Sequence, residues 1–287
     1  MPASSTPDWE VLLILLPLFG AMLAFLLRRR GSLIGLLSAI AIVISAIGLA
    51  DALLDGGVRR HTVGGWQAPL GIVLRSDGLS GLMLLMGAVV GLGISLYARA
   101  WFRDDTHASE RFWPLWLLLW TALNALFLSA DLFNLYVTLE LLGLAAVGLT
   151  AQAGGMAALG AAMRYLLVSL LGSLFYLLGV ALLYHAHGTV DMALLGERLT
   201  AGPASWAAMG LMFSGLLLKT ALFPFHFWLP PAHASAAAPV SALLSALVVK
   251  ASFYLVLRLW FDLFGQLAPQ IDILLGLLGA AAILWGS

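Results

Sequence analysis

The chain has no cysteine and very little charge. Without cysteine there are no disulfides, no thiolate metal sites and no cysteine-ligated iron–sulfur clusters. Haem and flavin do not need the thiol, but the sequence offers no place for either. Its many glycines form no phosphate loop between a strand and a helix. No redox cofactor or metal is therefore expected in the chain itself. Only 10% of the 287 residues are charged, against about 25% in a soluble domain. Formal net charge is zero and there is no basic or acidic tail, so nucleic acid is not an expected partner. What fills the chain is apolar, at 62% hydrophobic residues and a mean hydropathy of +1.02. These values specify an all-α, polytopic membrane protein whose solvent is the lipid bilayer.

A membrane span needs about 20 apolar residues. The first candidate covers Trp9 to Leu27 and is followed by Arg28, Arg29 and Arg30. A secretory signal carries its positive charge before the apolar run, so this helix is expected to be retained. Further spans are expected over Leu33–Leu54, Asp77–Tyr97, Trp113–Leu128, Leu132–Ala151 and Met156–Tyr184. A seventh, Ala204–Leu222, leads into a proline-broken segment. An eighth runs from Val240 to Trp260 and a ninth begins near Ile271. Eight or nine helices are thus predicted. The loops at one end hold Arg28, Arg29, Arg30, Arg99, Arg103 and Arg111. This excess weakly assigns that end to the cytoplasm and the amino terminus to the outside.

Most charges fall near span ends, where a loop or interfacial position accounts for them. Asp77 suits the start of a helix, where a carboxylate complements the macrodipole. Arg164 and Arg258 are expected to snorkel to the surface. His185 and His187 read as loop residues rather than metal ligands, with no third ligand nearby. Three residues do not fit this scheme. Glu140 lies well inside the fifth span, Lys219 late in the seventh and Lys250 in the middle of the eighth. Lys219 and Lys250 are the chain's only lysines. A charged lysine at bilayer depth costs about 3 kcal/mol or more.

The bland account of the trio is a structural ion pair that fixes helix packing. One carboxylate cannot satisfy two amines, so one lysine needs water or a carbonyl. A lysine whose carboxylate partner comes and goes is a proton switch. Pro224, Pro230, Pro231 and Pro239 interrupt the helix between the lysines and free carbonyls there. Such a break beside an ionisable group is how many transporters build a site near the midplane. His226 and His233 lie in the same break. They read either as partners of free carbonyls or as a proton relay between the lysines.

Three stretches carry a family resemblance. They are GGWQAPLGIVLRSDGLSGLMLL from Gly64, SADLFNLYVTLELLGLAAVGL from Ser129 and KTALFPFHFWLPPAHASAAAPVSALLSALVVK from Lys219. Together they resemble the antiporter-like membrane subunits shared by respiratory complex I, membrane-bound hydrogenases and Mrp-type sodium/proton antiporters. The first stretch and the HFWLPPAHA run are most similar to the D-type subunit of Mrp antiporters. The resemblance implies a proton-translocating subunit of a multi-subunit Na+/H+ antiporter in the inner (plasma) membrane of a bacterial cell. A proton-pumping subunit of an NADH:quinone oxidoreductase or membrane-bound hydrogenase is the alternative, and a purely structural membrane subunit is the third. Implied partners are other membrane subunits, the lipid bilayer, protons and sodium.

In that family a glutamate of the fifth helix pairs with a lysine of the broken seventh. The matching positions here are Glu140 and Lys219. Lys250 matches the residue that continues the path in the eighth helix, with His226 or His233 between. The implied cycle is electrostatic: Glu140 approaches and leaves Lys219, which passes a proton towards Lys250. Family members have about fourteen helices in two inverted repeats. The resemblance therefore divides this chain into an N-terminal three-helix segment, 1–111, a first repeat, 112–262, and the start of a truncated second repeat, 263–287. Ending at Ser287, the chain is expected to lack the second half-channel, as a fragment, one half of a split subunit or a short form. Alone it is not expected to complete a transmembrane path.

Overall fold

A computed structural model describes residues 7–68, 71–267 and 271–286. Helices α1 (Trp9–Leu26), α2 (Gly31–Gly56), α3 (Gly78–Trp101), α4 (Thr106–Leu128), α5 (Leu132–Ala151) and α6 (Gly155–His187) come in chain order. A short α7 (Met192–Arg198) precedes α8 (Pro203–Thr220) and α9 (Leu229–Ser235). Helix α10 runs over Ala238–Phe264 and α11 over Ile271–Gly286. Seven of these are long and apolar enough to cross a membrane. Helix α8 and the segment Phe225–Ser235 form a pair bent by 43° at its break, a broken span or a re-entrant loop, which brings the number to eight when counted as one span. The chain is a multi-pass membrane protein. The region of the ninth expected span forms α11, whose apolar length is shorter than the others.

Helix α4 sits at the centre of the amino-terminal half, against α1, α2, α3 and α5. From Phe112 on, its only polar residues are Thr121 and Asn124, which fits a helix enclosed by others. Trp113, Trp116 and Trp120 are fully buried along it. Trp116 stacks on Trp120 at 4.7 Å and donates its indole N–H to Ser95 Oγ at 2.9 Å. Gly91 of α3 leaves the space that Trp120 fills, because a Cβ there would meet the indole ring at 2.6 Å. Beyond α5 the order continues through α6 to α8, with α10 laid against α8.

The polar stretch after α2 is a β-hairpin. Strand β1 (Arg59–Thr62) pairs antiparallel with β2 (Val73–Ser76). Its connection uses Gly64 and Gly65, both at positive φ. The hairpin is tied to the α4–α5 junction, where Ala130 N donates to Val73 O at 3.2 Å. That junction is tied in turn to the segment before α7, through Leu132 N to Val190 O at 2.9 Å. One end of the bundle is thus closed by hairpin, junction and α7. The α1–α2 turn, the α3–α4 loop and the α5–α6 turn lie at the other end. Helix α6 continues to His187 and stops at Gly188 in the left-handed conformation. His185 and His187 therefore occupy its last turn rather than a loop, with His187 Nε2 3.2 Å from Ser205 Oγ.

Candidate functional site

Helix α8 ends one residue after Lys219. Ala221 takes a left-handed conformation at φ 54°, and Pro224 has no N–H to continue the ladder. Carbonyls left open at such an end need other donors. Trp228 supplies one, giving its indole N–H to Leu218 O at 3.0 Å. Its ring is held by a stack on Tyr165 of α6 at 4.5 Å. The break is therefore ordered, and it aims Lys219 inward from the last turn of α8.

Helices α6 and α8 touch backbone to backbone at this level. A Cβ on Gly215 would collide with the Gly172 carbonyl, so glycine is what permits the approach. The Lys219 stem lies against Gly172 and its ammonium reaches between α5 and α6. Lys219 Nζ donates to Ser169 Oγ at 2.9 Å, Ser173 Oγ at 2.5 Å and Glu140 Oε1 at 3.2 Å. Ser173 also donates to Glu140 Oε1. All three ammonium donors thus have partners. The Lys219 side chain is only 5% exposed and that of Glu140 is 17% exposed. A pair this dry is held by Coulomb attraction against a large desolvation cost, and losing either partner costs about 3–5 kcal/mol. Such a pair has two states of similar energy only if charge, proton and geometry change together.

Lys219 and Glu140 are brought together as the sequence anticipates. The other candidates are not part of this cluster. Lys250 sits on the exposed face of α10 and donates to Ser245 O at 2.7 Å. A carbonyl thus serves the second lysine. Ser245 belongs to a π-helical stretch, Leu244–Val248, in the middle of α10. Such bulges disturb the regular ladder and recur at functional sites. His233 Nδ1 lies 2.7 Å from Ser241 Oγ, while the His226 ring stacks on Phe223 at 5.7 Å. Between Lys219 and α10 is a cavity of about 10 Å³, lined by Ser169, Trp228, Val248 and Ser252. That volume is close to the minimum for one water.

A second charged cluster occupies the hairpin end. Arg258 is not a snorkelling residue; it is buried. Its guanidinium takes Asp77 in a fork, at 2.6 and 2.9 Å, and also donates to Tyr254 OH at 2.7 Å. Arg75 bridges Asp77 and Asp262, at 3.1 and 2.8 Å. Asp77 does cap α3, accepting from Ser80 N at 3.0 Å. The cap is only half of its role. Burial would raise the Asp77 carboxyl, but the Arg258 hydrogen bonds, the Ser80 amide and the charges of Arg258 and Arg75 hold it well below the usual range. Nearby, Asp131 caps α5 and Asp191 caps α7, facing each other across a β-bridge beside a cavity of about 380 Å³. Burial, with Asp191 adding to it, raises the Asp131 carboxyl; the Asn134 and Phe133 amides oppose this.

Sequence reasoning missed Ser169, Ser173 and the Asp77–Arg258 pair. The serines had a signal: two hydroxyls four residues apart, flanking Gly172 in an apolar run, share one helix face. Arg258 had a weaker one, since it lies six residues inside the end of α10.

Comparison with known proteins identifies the family of the chain. Residues 129–287 match a family model described as NADH:quinone oxidoreductase/Mrp antiporter, TM. The N-type subunit of the NADH-quinone oxidoreductase of Desulforudis audaxviator is 38% identical over 98% of the chain. The D-type subunit of the Na(+)/H(+) antiporter of Bacillus subtilis is 32% identical over 90%. The chain spans about half the length of these curated relatives, 58% and 53% respectively. Among solved structures, a chain of the membrane-bound sulfane sulfur reductase, an archaeal respiratory membrane complex, superposes with a TM-score of 0.83. It is 29% identical, with 88% of this chain and 53% of that one covered.

Proposed function

The chain belongs to the NADH:quinone oxidoreductase/Mrp antiporter membrane family, and on that premise we propose that it is a proton-translocating subunit of a multi-subunit Mrp-type Na+/H+ antiporter. The observation that carries the reading is the buried Lys219 ammonium, shared among Glu140, Ser169 and Ser173 beside a broken helix. Glu140 and Lys219 are the switch. When Glu140 withdraws, the ammonium loses its counter-charge and gives up a proton; when Glu140 returns, Lys219 takes one back. The serine hydroxyls keep a hydrogen-bonded contact with the amine in both states. His226, His233 and Lys250 carry the onward path, and Lys250 hands the proton to whatever covers the outer face of α10. Residues 112–262 are the unit that contains this path, between an N-terminal segment, 1–111, and the start of a second unit, 263–287. The working assembly includes other membrane subunits in the inner membrane of the cell.

A second reading is a redox-driven proton pump with the same switch. It is favoured by the identity to an oxidoreductase membrane subunit and the likeness to a respiratory complex. The two differ in what drives the flux. The test is proton flux in proteoliposomes, with the chain alone and with the membrane subunits that copurify with it. Sodium-dependent flux that is lost in Lys219→Ala and Glu140→Ala, with assembly intact, supports the antiporter. Flux that requires quinone or ferredoxin reduction supports the pump. Undiminished flux in both variants overturns the switch. Loss of assembly in step with loss of flux moves the trio to a structural role.

A further inference from the structure

At the hairpin end the buried and half-buried arginines are paired, while the exposed Arg60 and Arg198 have no carboxylate within ion-pair distance among the described residues. Arg59 pairs with Glu10, Arg75 with Asp77 and Asp262, and Arg258 with Asp77. At the opposite end Arg28, Arg29, Arg30, Arg99 and Arg103 have no carboxylate within ion-pair distance among the described residues. Four of them, Arg28, Arg29, Arg99 and Arg103, line a hollow of about 950 Å³ between the α1–α2 turn and the α3–α4 loop. His107 and Glu110 share it, so positive charge is in excess. Asp105 beside it caps α4 through Ala108 N.

The hollow does not stop at the polar rim. Arg28, His107 and Glu110 also line a second space of about 780 Å³ that runs down the bundle wall. Its other walls are Phe25, Pro114, Leu115, Leu118 and Gly148, with Arg111 and Gln152 near the rim. Arg28 lies over the Phe25 ring at 5.5 Å, at the seam between the two. Tyr97 and Trp101, both exposed and 5.9 Å apart, stand at the same end of α3. Aromatic rings of this kind sit at the headgroup level of a bilayer. A guanidinium is suited to phosphate oxygens because its donors form a planar fork. Unpaired arginines over an apolar groove therefore complement a ligand with an anionic head and a hydrocarbon tail.

We propose that this end of the bundle binds one anionic phospholipid, its phosphodiester held by Arg28, Arg29, Arg99 and Arg103 and an acyl chain lying along Phe25, Leu115 and Leu118. A free phosphate would use the arginines but leave the groove empty. A zwitterionic lipid would fill the groove but bring its own cation to the arginines. The site needs both parts.

Native mass spectrometry of the full chain, with the subunits that copurify with it, tests the assignment. Phosphatidylglycerol and phosphatidylcholine are added to delipidated protein, and bound lipid is counted. Phosphatidylglycerol is retained in preference, and Arg99→Gln with Arg103→Gln weakens it about tenfold or more, as expected for two charges near the surface. Leu118→Trp narrows the groove and lowers retention with every charge in place. Equal retention of the two lipids, or unchanged retention in the arginine variant, overturns the proposal. If that variant does not fold, unchanged retention in Leu118→Trp overturns it alone. Displacement of the lipid by millimolar inorganic phosphate would make this a free-anion site instead.

Discussion

Arg258 and Asp77 are 181 residues apart in the chain and meet in a two-pronged contact, Nη1 to Oδ2 at 2.6 Å and Nη2 to Oδ1 at 2.9 Å. Tyr254 OH accepts from the same guanidinium and donates to Phe127 O at 2.9 Å. The cluster thus pins the start of α3 and the end of α4 to α10. Its pH behaviour follows from the depressed Asp77 carboxyl. A lowered folded value gives stability that is present above the unfolded pKa of about 4 and lost as pH falls through the folded value.

Asp77→Asn separates pairing from capping, because asparagine caps a helix as well as aspartate does. The variant leaves Arg258 its bonds to Tyr254 OH and, as its one remaining carboxylate, Asp262 at 3.6 Å. A loss of about 3 kcal/mol is expected, at the low end of the range for a broken buried pair because Tyr254 and Asp262 remain. Thermal melting in detergent reads it. An unchanged midpoint would mean that the cap alone matters. In the wild type this group adds no slope from about pH 8 to about pH 5.

Ser173 touches both members of the Lys219–Glu140 pair. Ser173→Ala leaves an ammonium donor unpaired in a dry site, at a cost of about 1–3 kcal/mol. Assembly should persist while proton flux falls at least several-fold and its pH profile moves. Ser173→Thr keeps the hydroxyl and should restore the profile. A flat response to both would remove Ser173 from the path.

Gly215→Val tests the close approach of α6 and α8. A Cβ at this position meets backbone rather than a movable side chain. The helices must separate, at a cost of about 1–3 kcal/mol for overpacking. Lys219 would lose its grip on Ser169 and Ser173, so flux should drop more than in Gly210→Val, where a Cβ meets nothing within 4 Å. Equal flux in the two variants would exclude the approach as a determinant.

Asp131 carries the opposite pH signature from Asp77. Its raised carboxyl means that the folded state holds this proton more tightly than the unfolded chain. Stability from this group is therefore full at low pH and declines as pH rises from about 4 through the raised value. Asp131→Asn keeps the cap on Asn134 N and removes the charge facing Asp191. Its melting temperature at neutral pH should exceed that of the wild type, and the slope should disappear. A lower melting temperature would show that the carboxylate has a partner worth more than its burial costs.

Helix positions were legible in the sequence because a bilayer sets both the length and the polarity of a span. The fifth span was expected over Leu132–Ala151 and α5 has those bounds. Glu140, Lys219 and Lys250 were legible as charges inside apolar runs, but the residues alone left open which lysine meets the carboxylate; the Glu140–Lys219 match came from the family resemblance. The hairpin was not, because β1 and β2 are four residues each and pair across a polar connection. Arg258 looked interfacial because it stands close to a span end; its burial depends on an aspartate two-thirds of the chain away.

Which face of each helix turns inward was also hidden. In water, an apolar stripe marks the buried side. In lipid, the outer face is as apolar as the core, so the pattern loses its contrast. Lys250 is the case in point: the sequence placed it inside a span, and only the packing of α10 on α8 turned it outward, away from Lys219. Composition and hydropathy by themselves determined that this chain crosses a membrane many times and buries charge there. The tertiary structure decided which charges meet, because that depends on helix rotation and on contacts between segments far apart in the chain.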